Sequence, residues 1–249
     1  AKRQSPSTAL ADVAQSVTGV ILGIFLFCHM AFTSSVQISK DLFANLINTS
    51  GGMFMFAEEQ AWLHVVFVGF ITLCVVIHAF CALRRFPTSY HQLRDIKAHY
   101  KMLRHEDTTL WMVQLVTAFL LFIFVFPHLI SMLCNPHGFD VNLIGVHTHH
   151  MGMIYTFVFL VITELHGMIG LYRLAVKWDI FAKNPETDII DQRNGDRAGL
   201  RKTFLFIALL MIVCGTLTAW KNYSIGAELI ENGQEATRYV LADENNWWK

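Results

Sequence analysis

Five stretches of the 249-residue chain are long and apolar enough to cross a bilayer, roughly 15–36, 62–83, 110–134, 151–176 and 203–220. A spanning helix needs ~20 mostly apolar residues, because hydrocarbon cannot hydrogen-bond an open backbone. The chain is therefore expected to fold as an all-α integral membrane protein with five transmembrane helices in a single membrane-anchor domain, 1–249. Charged residues make up 15% of it, against ~25% in ordinary soluble domains, and 54% of it is hydrophobic. That balance excludes a disordered chain and gives no support for a nucleic-acid partner. The first stretch is too long for the core of a signal peptide and is read as a span. The five cysteines contain no CxxC or CxxCH spacing, so structural zinc and covalent haem attachment have no support.

Lys and Arg are sorted by side. Arg84, Arg85, Arg94, Lys97, Lys101 and Arg104 fall between spans two and three. Lys177, Lys183, Arg193, Arg197, Arg201 and Lys202 fall between spans four and five, and Lys2 and Arg3 precede span one. The other connections carry only Lys40. The positive-inside rule then places the N-terminus in the cytoplasm. Segments 84–109 and 177–202 become cytoplasmic connections, and 221–249 an external tail ending near Trp247 and Trp248. The expected location is the bacterial cytoplasmic membrane.

Histidine is the unusual residue, with 12 copies. His29, His78, His128 and His166 each lie in a different one of the first four spans. One buried histidine can simply hydrogen-bond a neighbouring helix, but ionisable groups at membrane depth usually mark function. At ~1.5 Å per residue, His29 and His128 lie ~21 and ~26 Å from the cytoplasmic edge, and His78 and His166 ~9 and ~16 Å. The depths give two pairs: His29 with His128 towards the outside, His78 with His166 towards the cytoplasm. A zinc ion would demand three or four ligands at one level, including groups that are missing there. Two facing imidazoles suit the axial positions of a haem iron, which with both positions filled carries electrons rather than oxygen. Two b-type haems inside a bundle of the first four helices are therefore expected. Gly167 and Gly170 beside His166, and Ala79 and Ala82 after His78, are read as room for a flat macrocycle; all of them could equally serve plain helix packing, which is the preferred role for Gly19 and Gly23.

These residues resemble a known family. LFCHMAF around His29, IHAFCALRRFP around His78, LRHEDTTLW from Leu103 to Trp111 and ELHGMIGLYRLAVKW from Glu164 to Trp178 look like the dihaem cytochrome b subunit of menaquinol:fumarate reductases. The resemblance implies a five-helix anchor that connects menaquinone to an iron–sulfur subunit and a flavoprotein reducing fumarate or oxidising succinate. It implies haem ligands paired as helix one with three and two with four. It also matches Gln15, Ser16, Trp111 and Lys177 to haem-propionate contacts, although interfacial anchoring would account for such residues as well. FAD and iron–sulfur clusters would sit only in the partner subunits, because this chain lacks GxGxxG and clustered cysteines.

Oxidising a quinol releases two protons, so acids near the outer pair matter: Asp41, Glu58, Glu59 and His64. The family's quinol-site carboxylate falls on Gly51 here, within Ser50-Gly51-Gly52, and Glu58 and Glu59 are the preferred proton acceptors. Their alternative role is to face external water at a helix N-terminus. Glu164, two residues before His166 and ~200° around the helix, is expected to be protonated part of the time and to relay protons; a structural hydrogen bond is the alternative. The HTHH run with His147, His149 and His150 is read as a solvated helix start, with surface metal binding as the alternative. His91, His99 and His105 are read as part of a basic docking surface for the iron–sulfur partner, the alternative being charges that only fix topology. Two other functions stay open: a stand-alone dihaem carrier or cytochrome b subunit of another oxidoreductase, and a haem-free proton-coupled transporter. The direction of the reaction is not set by residue types.

Overall fold

The computed structural model describes residues 6–52, 55–56, 60–84, 86–87, 89–103, 106–180 and 190–241. Among these residues every regular element is helical. Helix α1 (Pro6–Ser34) runs into a 3-10 turn at Ser35–Gln37, followed by α2 (Lys40–Ser50), α3 (Ala61–Leu83) and α4 (Tyr90–Leu103). Then come α5 (Glu106–Cys134), α6 (Val141–Met151), α7 (Met153–Lys177) and α8 (Ile190–Glu231). Helices α1, α3, α5, α7 and α8 are long and apolar enough to cross a membrane. Their outward faces carry Phe80, Ile123, Ile154 and Leu209 in the open, as expected where the surroundings are lipid tails rather than water.

Four of these helices close a ring. α1 packs on α3 and α7, and α5 packs on the same two helices. Helices α1 and α5 therefore face each other across one diagonal and α3 and α7 across the other, and neither diagonal forms a packing interface. Helix α8 lies outside the ring, against α7 and α6.

The fifth long helix differs from the sequence expectation. The apolar run marks 203–220, yet α8 extends unbroken over 42 residues, about 63 Å at 1.5 Å per residue. Hydropathy detects only the stretch that lipid could cover; the polar flanks keep helix-forming residues and continue the same hydrogen-bond ladder. The beginning of the expected external tail, from residue 221 to Glu231, is thus helical.

Two short helices in the connections were not anticipated either. Helix α2 starts where the Ser39 hydroxyl accepts from the Leu42 amide, and α6 where Asp140 accepts from the Asn142 and Leu143 amides. These are N-caps that satisfy amides otherwise left open. Helix α6 stops at Gly152, whose φ of +80° turns the chain into α7, a backbone region that glycine enters without steric penalty. Helices α6 and α8 cross so closely at Gly145 and Gly226 that a Cβ on Gly226 would lie 2.2 Å from the Gly145 carbonyl oxygen. Together α2, α6 and the end of α8 bury Val36, Phe43, Ile47, Val141 and Ile225 in a small core. The chain after α8 folds over this cap. The Tyr239 amide donates to the Asp140 carboxylate, and the Tyr239 hydroxyl donates to Asp41 at 3.0 Å. The capped end of the bundle is opposite to the end where Arg84, Lys177 and Arg201 lie, called here the basic end.

Candidate haem sites

Both histidines towards the basic end are held by the neighbouring helix. The Nδ1 atom of His78 is 3.1 Å from the Gln15 carbonyl oxygen and 3.2 Å from the Thr18 hydroxyl, both on α1. The Nδ1 atom of His166 is 3.2 Å from the Gln114 carbonyl oxygen and 3.3 Å from the Thr117 hydroxyl, both on α5. A carbonyl can only accept, so each Nδ1 carries the proton and each Nε2 keeps its lone pair. That is the tautomer in which an imidazole binds a metal, with the other ring nitrogen tied to an acceptor that sets its orientation and basicity. The same Gln-x-x-Thr unit serves both rings from one turn of helix. Sequence reading missed Thr18, Gln114 and Thr117. The signal for them was the repeated unit, Gln15–Thr18 and Gln114–Thr117, in two different spans.

The small residues divide between the two readings, with Gly23 packed against Leu171 of α7 as helix packing expects. Gly19, read as helix packing, borders His78: a Cβ there would lie 3.2 Å from the ring Cε1. Gly167 and Gly170, read as space for a macrocycle, face Leu26 and the Gln114 side chain, with a Cβ at 2.9 Å from each. Gly170 thereby lets Gln114 lie across α7, where the Gln114 amide oxygen accepts from Arg173.

The other two histidines are held by aromatic rings. His29 stacks on Phe25 with centroids 5.3 Å apart, and His128 packs on Phe159 at 5.5 Å. Phe159 continues to Phe124, and Phe124 to Tyr155. Among the described residues, the ring nitrogens of His29 and His128 take part in no hydrogen bond. Pro127, inside α5 and directly before His128, cannot donate to the Ile123 carbonyl and loosens the helix at that point. His128 lies within electrostatic range of His29, and His166 within that of His78. Each couple spans a diagonal of the ring, α1 to α5 and α3 to α7. Among the described residues no three His, Cys, Asp or Glu side chains gather to hold a metal ion. The donor set is paired imidazoles in apolar surroundings, which suits a macrocycle that brings its own four equatorial ligands.

Of the four residues matched to propionate contacts, Ser16 and Lys177 are brought together. Ser16 donates to the Asp12 carbonyl at 2.8 Å and accepts from Lys177 Nζ at 3.1 Å, tying α1 to α7. The Gln15 amide oxygen is buried without a partner among the described residues. Trp111 is half-buried on α5, and no hydrogen bond joins it to the other three.

Glu164 is 0% exposed, and neither carboxylate oxygen has a hydrogen-bond partner among the described residues. It shares a buried stripe of α7 with Met168 and Tyr172. Tyr172 packs against Phe204 of α8, so the stripe meets α8 at its end nearest the basic end. The Tyr172 hydroxyl donates to Asp107 at 2.8 Å, and Arg201 lies 3.6 Å from the same carboxylate oxygen. Tyr172, Asp107 and Arg201 thus form a polar group that joins α7, α5 and α8 at the basic end.

At the capped end, Glu58 and Glu59 lie outside the described residues. His64 is 6% exposed, and Asp41 accepts from Tyr239. The HTHH run is not a helix start: it forms the second half of α6. His149 packs against Tyr223 with ring centroids 4.6 Å apart, and His150 lies 3.7 Å from Glu235. Burial, and then the neighbouring His150, hold the His147 imidazole below its usual range. Of the basic connection between α3 and α5, His91 is exposed on α4, His105 lies outside the described residues, and the His99 side chain is not described.

Comparison with known proteins points in one direction. A family model described as succinate dehydrogenase/fumarate reductase transmembrane subunit matches residues 91–218. A fumarate reductase cytochrome b subunit from Helicobacter pylori is 34% identical over 253 aligned residues, covering 99% of this chain and 93% of that protein. The protein of the same name from Wolinella succinogenes is 33% identical over 220 residues, covering 87% of this chain and 82% of its own length.

Proposed function

Because the chain belongs to the succinate dehydrogenase/fumarate reductase transmembrane-subunit family, we propose that it is the dihaem, quinone-reactive anchor of such a complex, with its basic end in the cytoplasm. It oxidises menaquinol at the capped, outer end and passes electrons to an iron–sulfur subunit and a flavoprotein that reduce fumarate, or runs the same path in reverse. The observation that carries this reading is the arrangement of the four histidines. Two couples span the two diagonals of one four-helix ring, and at the basic end both rings are held in the metal-binding tautomer.

Two b-type haems, when bound, would supply one-electron carriers at two levels of the membrane. The protein residues do the rest. His29 and His128 provide the outer ligand pair, and His78 and His166 the cytoplasmic-side pair. The Gln15 and Gln114 carbonyls keep the latter two rings oriented. Lys177, Ser16 and Gln15, with Trp111 from α5, form the polar group at the basic end that would meet propionates. Glu164, buried with no hydrogen-bond partner among the described residues, relays protons within the bundle, because an ionised carboxylate at that depth is costly and a proton removes the cost. FAD and iron–sulfur clusters belong to the partner subunits, which dock on the basic connections.

The deciding experiment uses the purified complex. Pyridine haemochrome assay should give two b haems per chain, and a naphthoquinol should reduce both, with reoxidation by fumarate. Fewer than two haems, or an optical spectrum unchanged when any of the four histidines is replaced by alanine, would refute the reading.

A further inference from the structure

We propose that His64 takes up the protons released by quinol at the capped end of the bundle, an inference that rests on reading the chain as a quinol-oxidising subunit. Its depth is set by a neighbouring aromatic contact. Phe25 of α1 and Phe67 of α3 pack with ring centroids 5.9 Å apart, so they share a level. His29 lies four residues beyond Phe25 towards the capped end, about 6 Å. His64 precedes Phe67 by three residues on a helix running the other way, about 4.5 Å in the same direction. The two histidines are therefore at nearly the same depth on adjacent, packed helices. His64 is the buried titratable group of α3 at the level of the outer ligand pair.

Its surroundings suit a base. The ring lies flat on Phe139, centroids 4.3 Å apart and planes 13° from parallel, which fixes its orientation and keeps it in an apolar setting. Nε2 is 3.3 Å from the Ser50 hydroxyl oxygen. That hydroxyl gives its own proton to the Ile47 carbonyl at 2.7 Å. The oxygen therefore accepts from Nε2, and the neutral ring carries its lone pair on Nδ1. Ser50 is brought into reach by the Gly51–Gly52 turn, which rests on the first turn of α3: a Cβ on Gly52 would lie 2.4 Å from Leu63 Cδ1. No carboxylate stands in Ser50-Gly51-Gly52. Asp41 on α2 accepts from the Tyr239 hydroxyl, and Asp140 from the Asn142, Leu143 and Tyr239 amides. An imidazole is also the side chain best able both to gain and to lose a proton near neutral pH.

The balance is simple. A quinol becomes a quinone by breaking two O–H bonds and losing two electrons; a haem held by His29 and His128 would take these one at a time, the first passing on to the second haem before the second arrives. The first proton goes to Nδ1 and makes an imidazolium. That proton leaves to water on the capped side before Nδ1 accepts the second.

The test uses the intact complex with H64Q, H64A and S50A. Gln keeps a donor towards Ser50 but cannot take a proton. H64Q should bind a naphthoquinone analogue within threefold of wild type by fluorescence titration, yet its haem reduction by naphthoquinol should slow at least thirtyfold. Its optical spectrum and viologen-driven fumarate reduction should stay unchanged. Infrared difference spectra should show an imidazolium signal on quinol addition in wild type and none in H64Q. H64A should lose analogue affinity as well. Quinol-driven reduction in H64Q within twofold of wild type, or loss of haem from H64Q, would overturn the proposal. Should H64Q fail to assemble, S50A decides: a three- to tenfold slower quinol reaction supports the role and an unchanged one refutes it. A wild-type complex that no naphthoquinol reduces would instead bring down the quinol reading itself, a result distinguishable from failure of His64 alone.

Discussion

At the basic end of the ring, each candidate ligand is tied through Nδ1 to a backbone carbonyl one helix away, and ion pairs close the periphery, Arg84 with Asp12 at 2.8 Å among them. At the capped end the rings of His29 and His128 meet Phe25 and Phe159, and a small apolar core seals the connections above them. Carbonyl oxygens fix which nitrogen carries the proton, whereas aromatic walls fix only where the ring sits. One end is thus built for a permanent ligand of set geometry. The other leaves the ring nitrogens of His29 and His128 without hydrogen bonds among the described residues, in apolar surroundings that would suit the apolar substrate proposed for this end.

The largest effect should come from removing a ligand. H166A or H78A should abolish the haem of the basic end and H29A or H128A that of the capped end, each halving the haem content measured by pyridine haemochrome. Loss of both haems from any single variant would show that the two ends are not separate sites. Next in size is G19V, where the added side chain meets a His78 ring already 3.2 Å from the Cβ position. It should weaken retention of the basic-end haem at least tenfold in a dissociation assay. G69A, where nothing lies within 4 Å, should leave both haems in place.

T117V sharpens the contrast further. Loss of an outer-shell partner typically costs 10–100-fold in metal affinity, but the Gln114 carbonyl remains at 3.2 Å, so a severalfold loss confined to the basic end is expected. F159L should shift the optical band of the capped-end haem without releasing it. The capped end also has its own pH limit. Burial, and then the hydrogen bond to Asp41, push the Tyr239 phenol up to about 12. A folded-state value above the unfolded one stabilises below the unfolded value, ~10, and is lost above it. Docking of the segment after α8 should therefore hold to about pH 10 and loosen towards pH 12, read by hydrogen exchange at residues 232–241. The smallest effect belongs to D12N: its partly exposed pair with Arg84 should contribute under about 1 kcal/mol to thermal stability.

Much of this architecture can be read along one dimension. Apolar length alone identifies the spans, and counting residues from their edges sorts His29, His78, His128 and His166 by depth, because a helix converts sequence distance into height. What sequence distance cannot convey is lateral contact. Gly19 looks like any small packing residue until α3 brings His78 against it. Thr18 and Thr117 look like ordinary span threonines that bond back to their own helix, as both also do. The two short helices of the cap, and the length of α8 beyond its apolar run, escape hydropathy because they are amphipathic or polar. Glu164 stands out as an acid in an apolar run, yet its complete burial, 0% exposed, emerges only from packing.

The diagonal placement of the histidines also sets an order of events during synthesis. Helices emerge as α1, α3, α5, α7, so the couple shared by α1 and α5 is complete once the third span has entered the membrane. The couple shared by α3 and α7 must wait for the fourth. His78 is therefore inserted early and stands without its counterpart while the His29 couple is already assembled, and the nascent chain ripens from its capped end inward.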